Sequence, residues 1–124
     1  MVVLDLTKRI TNDLDAYRKA LRSDDSLVFM APVPSDIQAA SVELSVGAFV
    51  FASKLSEKRS LGPDGFTLRP GCSVVVYTAE EVHLPLNVFG LLSGKGTLIY
   101  HGIFISQGKI DPGFQGNLRI GLFN

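Results

Sequence analysis

Gly94-Lys95-Gly96-Thr97 gathers two glycines, a cation and a hydroxyl within four residues. Glycine lets backbone amides approach an anion closely, lysine adds charge and threonine adds a donor, so the tetrapeptide has the parts to hold a stretch of triphosphate. It lacks P-loop spacing, and a plain glycine turn between two strands is the better account of the tetrapeptide taken alone. Further along, Gly108-Lys109-Ile110-Asp111-Pro112-Gly113-Phe114-Gln115-Gly116 reads as a glycine-rich hairpin carrying one carboxylate and one aromatic ring. Asp111 could orient a water or a sugar hydroxyl, and Phe114 could stack on a ligand. The same carboxylate has a structural reading, in which it caps the tight turn by accepting backbone N–H bonds. His83 and His101 lack partners at metal-ligand spacing, no serine sits in a nucleophile-elbow pattern, and the single cysteine, Cys72, reads as a small buried hydrophobe in a strand.

These residues need elements to position them. Ile10, Leu14, Tyr17 and Leu21 recur at helical spacing after the polar start residues Thr11, Asn12 and Asp13, and Ser23-Asp24-Asp25 can end the segment. This predicts one N-terminal helix packed across a sheet edge. From Leu27 onward the pattern changes to short apolar runs separated by Gly, Pro, Asn and Asp, which predicts strands at 26–30, 41–51, 73–78, 88–92, 102–105 and 117–123. Tight turns are expected at Gly62-Pro63-Asp64-Gly65, Arg69-Pro70-Gly71 and Asp111-Pro112-Gly113, and an exposed hairpin end at 53–58. The expected class is mainly β with one N-terminal helix.

Composition limits the functions these elements can serve. Twelve Lys and Arg balance twelve Asp and Glu across 124 residues, so no global field gathers nucleic-acid phosphates. The hydrophobic share of 46% with only 19% charged residues is high for a small soluble monomer, which points to a subunit interface. The apolar runs are far short of the roughly 20 residues that span a bilayer as a helix. The N-terminus places its apolar residues before its cations, the reverse of a secretory signal, so an intracellular, cytoplasmic location is expected.

Read in order, the segments resemble the dUTPase superfamily, closest to its dCTP deaminase branch. Ile37-Gln38-Ala39-Ala40-Ser41-Val42-Glu43-Leu44-Ser45-Val46-Gly47 is similar to the first motif, and Leu68-Arg69-Pro70-Gly71 to a strand that follows it. Thr78-Ala79-Glu80-Glu81-Val82-His83-Leu84-Pro85 resembles a T-x-E-x-V-x-L-P run. Residues 94–103 stand where the deaminases carry G-R-S-S-L-A-R-x-G-L, and residues 110–116 resemble I-D-P-G-F-x-G. The resemblance implies a single domain over 1–124, a helical segment at 1–25 followed by a distorted β-barrel or jelly roll at 26–124, assembled as a homotrimer with sites between subunits. It further implies nucleotide contacts from Lys95, Gly96, Thr97, Asp111 and Phe114, with Asp111 the catalytic residue of an active chain, no resident cofactor, and a magnesium ion carried by a bound nucleotide within reach of Glu43. The departures fall on the chemistry: Gly96 replaces a serine that holds the attacking water in deaminases, Tyr100 an arginine, and Gly121 a proton-shuttling glutamate. Ser93-Gly94-Lys95-Gly96 replaces the P-R-S-G signature of dUTPases, and a further strand motif of the family's enzymes lies beyond Asn124. The resulting expectation is a non-enzymatic homotrimeric assembly protein, most concretely a virion decoration or cement protein partnered by a capsid protein. The alternative is a pyrimidine deoxynucleotide enzyme, a dCTP deaminase or dUTP pyrophosphatase, or a nucleotide-binding regulatory domain.

Overall fold

The longest strand, β5 (Ser73–His83), organises the chain. Val74, Val76, Thr78, Glu80 and Val82 are buried and alternate with more exposed neighbours, as a strand with one face on a core requires. In this computed structural model, which describes residues 3–51, 57–106 and 108–124, one edge of β5 pairs antiparallel with β3 (Val46–Phe51) and then β2 (Val28–Ala31). The other edge pairs with β9 (Gln115–Phe123). Short strands complete a seven-stranded sheet: β1 (Ile10–Thr11) runs parallel to β2, β4 (Arg59–Ser60) flanks β3, and β7 (Phe104–Ile105) flanks β9. β6 (Gly90–Leu92) and β8 (Gly108–Ile110) form a separate two-stranded ribbon. The chain is mainly β, as the sequence predicts. Among the described residues the strands pair as this sheet and the ribbon, an arrangement consistent with the β fold that the resemblance implies.

Two apolar clusters divide along β5. Val28, Met30, Val82, Leu84, Ile110 and Leu118 form one, and Phe49, Val74 and Val76 the other. In the second cluster Phe66 stacks on Phe49 at 4.4 Å between centroids and meets Phe51 edge-on at 6.1 Å. Between the clusters the β5–β9 register shifts, so that Tyr77 faces Arg119 but Glu81 faces Asn117. Two charged residues after Ala79 look like a strand end, which is why the predicted strand stops at Thr78. It continues because the bulge satisfies its polar groups internally.

α1 (Leu14–Lys19) is shorter than its apolar spacing suggests. The Asp13 carboxylate accepts from the amides of Asp15 and Ala16, fixing the start one residue later and leaving Ile10 to pair with Val28 in β1. Leu21 falls outside because the chain tightens after Lys19, with the Ala20 amide donating to the Tyr17 carbonyl. α1 packs against β1 and β2 at the sheet edge, as expected, and Tyr17, 1% exposed, donates its hydroxyl to the Leu84 carbonyl at 2.8 Å.

Other differences have local causes. Strands β3, β6 and β7 begin later than predicted, and β1, β4 and β8 are too short to carry a periodic signal. Gly96 and Thr97, expected within a glycine turn, instead begin a second α-helix, α2 (Gly96–Tyr100), closed by Gly102 at φ 81°. Cys72 is exposed rather than buried, because it completes the Arg69-Pro70-Gly71 turn ahead of β5, its amide donating to the Arg69 carbonyl. Of the predicted hairpin end, residues 53–56 lie outside the described residues, while Glu57 and Lys58 are exposed. Among the described residues no helix is long and apolar enough to cross a membrane.

Candidate functional site

The Asp111-Pro112-Gly113 turn follows β8 and is tied to the end of the T-x-E-x-V-x-L-P run. The Phe114 amide closes it by donating to the Asp111 carbonyl at 3.1 Å, and Gly113, at φ 80°, donates to the Pro85 carbonyl. The Leu84 amide donates to the Phe114 carbonyl at 2.9 Å. Because backbone atoms hold the turn, the Asp111 side chain is left for other work. Its carboxylate lies 3.1 Å from Lys109 Nζ and is 74% exposed. The expected carboxylate cap is therefore not made; the turn's own carbonyl does that job.

Asp111 and Phe114 share an open cleft of about 290 Å3 with Lys109, Arg119, Ser106 and Leu92. It sits where β7 leaves β9 and β8 departs into the ribbon. Polar walls around one aromatic ring suit a ligand with a flat apolar part and anionic or hydroxyl groups. The sequence reading missed Arg119 and Ser106. Their signal is a matter of register: Arg119 pairs with Tyr77, and Ser106 exchanges two hydrogen bonds with Gly121, its Oγ accepting from the Gly121 amide and its own amide donating to the Gly121 carbonyl, both at 2.8 Å. At the position where the resemblance expects a glutamate, a backbone amide thus meets a serine hydroxyl, and no carboxylate is presented.

Lys95, Gly96 and Thr97 do not line this cleft. Lys95 is the residue before α2, and its carbonyl accepts the amides of Leu98 and Ile99 at 3.0 and 3.2 Å. The tetrapeptide is a helix start rather than a strand-to-strand turn. Gly94 is closely packed, since a Cβ there would stand 2.6 Å from Ile105 Cδ1 and the Ile105 side chain would have to turn aside. The Lys95 ammonium lies 3.0 Å from Glu43 Oε2, across 52 residues of sequence. The structure thus forms two groups, Asp111 with Phe114 in the cleft and Glu43 with Lys95 beside α2. Among the described residues no three His, Cys, Asp or Glu side chains gather at metal-holding distance.

Comparison with known proteins gives this geometry a context. The family described as dCTP deaminase-like matches residues 15–124. The chain is 36% identical over 75 residues to a dCTP deaminase of Buchnera aphidicola subsp. Baizongia pistaciae, covering 57% of this chain and 39% of that protein. It is 27% identical over 129 residues to a dCTP deaminase of Pasteurella multocida, covering 82% and 66%. A dCTP deaminase of Thermococcus kodakarensis is 33% identical over 89 residues, covering 71% and 56%. The matched stretches thus span about two fifths to two thirds of these relatives' own lengths. The expectation of a non-enzymatic assembly protein, a virion decoration protein partnered by a capsid, is corrected here, since the family model and the relatives it resembles in sequence are named as dCTP deaminases. By a match that runs through nearly its whole length, the chain belongs to the dCTP deaminase-like family.

Proposed function

We propose that this chain acts in pyrimidine deoxynucleotide metabolism, binding dCTP or dUTP in the Asp111–Phe114 cleft and turning it over, with Asp111 orienting the attacking water. The observation that carries this is that the Asp111 carboxylate, paired only at the surface with Lys109, faces the cleft instead of capping its turn. The turn does not need it, it stands beside Phe114, and Lys109 and Arg119 bring positive charge to the same cleft. Phe114 offers a face for the base or sugar, while the cations and the Ser106 hydroxyl offer contacts to phosphate oxygens.

Lys95 and Thr97 would serve a nucleotide held between subunits, because they lie outside the cleft of their own chain. The domain spans 1–124 in this reading and assembles as a homotrimer, with the exposed apolar side chains of α2 and β7 as contact surface. The donor set fits magnesium that arrives with phosphates: such ions are commonly held by one or two carboxylates plus substrate oxygens, and Glu43 is the carboxylate available beside Lys95. The ion would neutralise phosphate charge. An intracellular location agrees with a nucleotide substrate.

A second reading, binding without turnover, draws on Gly121, which supplies no proton-transferring group. Melting the protein with and without millimolar dCTP or dUTP plus magnesium, and assaying ammonia and diphosphate release, separates the two. Turnover predicts a nucleotide-dependent rise in melting temperature together with product. Stabilisation without product selects the binding reading, and neither effect overturns both.

A further inference from the structure

The bulge in β5 uses more polar chemistry than a sheet needs. Thr78 and Glu80 are each 5% exposed, and both lie where valine would continue the apolar alternation at no desolvation cost. The Thr78 hydroxyl donates to the Glu80 carbonyl at 2.8 Å and accepts from the Leu118 amide at 2.9 Å. The Asn117 side chain donates to the Thr78 and Glu80 carbonyls at 2.9 and 3.2 Å. On the other edge, the Glu80 carboxylate accepts the Ser45 amide at both oxygens, at 3.1 and 3.0 Å, and the Ser45 hydroxyl at 2.7 Å. The Ser45 carbonyl in turn accepts the Ala79 amide at 2.8 Å. One continuous network therefore clamps both neighbours of β5.

What those neighbours carry is the site. Ser45 is two residues from Glu43, which pairs with Lys95; Asn117 and Leu118 directly precede Arg119, which lines the cleft, and follow the turn holding Asp111 and Phe114. We propose that Thr78 and Glu80 are positioning residues, fixing across β5 the Glu43–Lys95 group relative to the Asp111–Phe114 cleft. The inference rests on the nucleotide reading above for its consequence in binding, and on the network alone for the coupling of the two edges. A one-residue change in β9 register would turn Arg119 to the opposite face, so the bulge is where the cleft's composition is decided.

The test compares Thr78→Val, Thr78→Ser and Glu80→Gln in the full chain. At a temperature where each variant is fully folded, Thr78→Val should bind dCTP or dUTP about 3- to 10-fold more weakly in titration calorimetry, and Thr78→Ser, which keeps the hydroxyl, should restore affinity to within about twofold. Without any ligand, Glu80→Gln should accelerate amide exchange at both Ser45 and Leu118 by about tenfold, while Met30 is unchanged. A lower melting temperature with unaltered affinity, or exchange that rises at Ser45 alone, overturns the proposal. If Thr78→Val fails to fold, Glu80→Gln carries both measurements. If the wild type binds neither nucleotide, the functional reading fails, and exchange alone decides whether the edges are coupled.

Discussion

Asp111 is held by a turn that does not use its carboxylate, which makes the consequence of removing the charge specific. Asp111→Asn keeps the Phe114 amide bond and the Gly113–Pro85 bond, and loses an exposed pair with Lys109. Exposed pairs are worth about 0–1 kcal/mol, so the melting temperature should move by no more than about 5 °C while turnover falls by at least about 10²-fold. A variant as active as the wild type would remove Asp111 from the chemistry. Gly121 allows the complementary experiment. A Cβ there would stand 3.4 Å from Ser106 Oγ, an ordinary contact, so Gly121→Glu should fold and raise ammonia release from dCTP by about 10²-fold over the wild type. No gain would show that the glycine is not what limits deamination. Asp111 and Phe114 were legible because turn residues announce themselves locally. Arg119 and Ser106 were not, since their place in the cleft depends on a register set by partners far along the chain.

Elements show the same division between local signals and tertiary decisions. The long strands, the turns and the edge-packed helix could be read from alternation, Gly-Pro punctuation and capping residues, because those signals act over a few residues. α2 could not: it is flanked by glycines, five residues long and without a side-chain cap, and it is closed by backbone bonds to the Lys95 carbonyl and by the turn at Gly102. The continuation of β5 past Thr78 was hidden by two glutamates, one of which is satisfied by Ser45, 35 residues away. Gly47 marks how closely these elements are fitted. A Cβ at Gly47 would stand 2.8 Å from the Ala79 Cα, and a backbone atom cannot swing aside as a side chain can. Gly47→Ala should therefore destabilise the fold by about 1–3 kcal/mol, read as a fall in denaturant midpoint with unchanged slope. A neutral result would mean that β3 and β5 can separate locally without cost.

For the whole molecule, surface arithmetic bears on assembly. A compact monomer of 13.4 kDa exposes about 6,500 Å2, whereas this chain exposes 8106 Å2. A chain with more exposed surface than its mass requires has area left to bury against partners. The apolar side chains left in solvent are concentrated on one stretch, with Leu91, Tyr100 and Phe104 at 73, 88 and 71% exposure, and α2 has no buried residue of its own. Exposed apolar area of this kind marks contact surface. In the trimer proposed above this stretch is the contact surface, and light scattering at micromolar concentration should then report three chains. Phe104→Lys should shift the mass to that of one chain while far-ultraviolet circular dichroism stays the same, because the ring's aromatic neighbour within the chain is Phe123, at 6.5 Å between centroids, and it fills no core. A wild-type monomer would refute the assembly, and a Phe104→Lys trimer would move its contact surface away from β7.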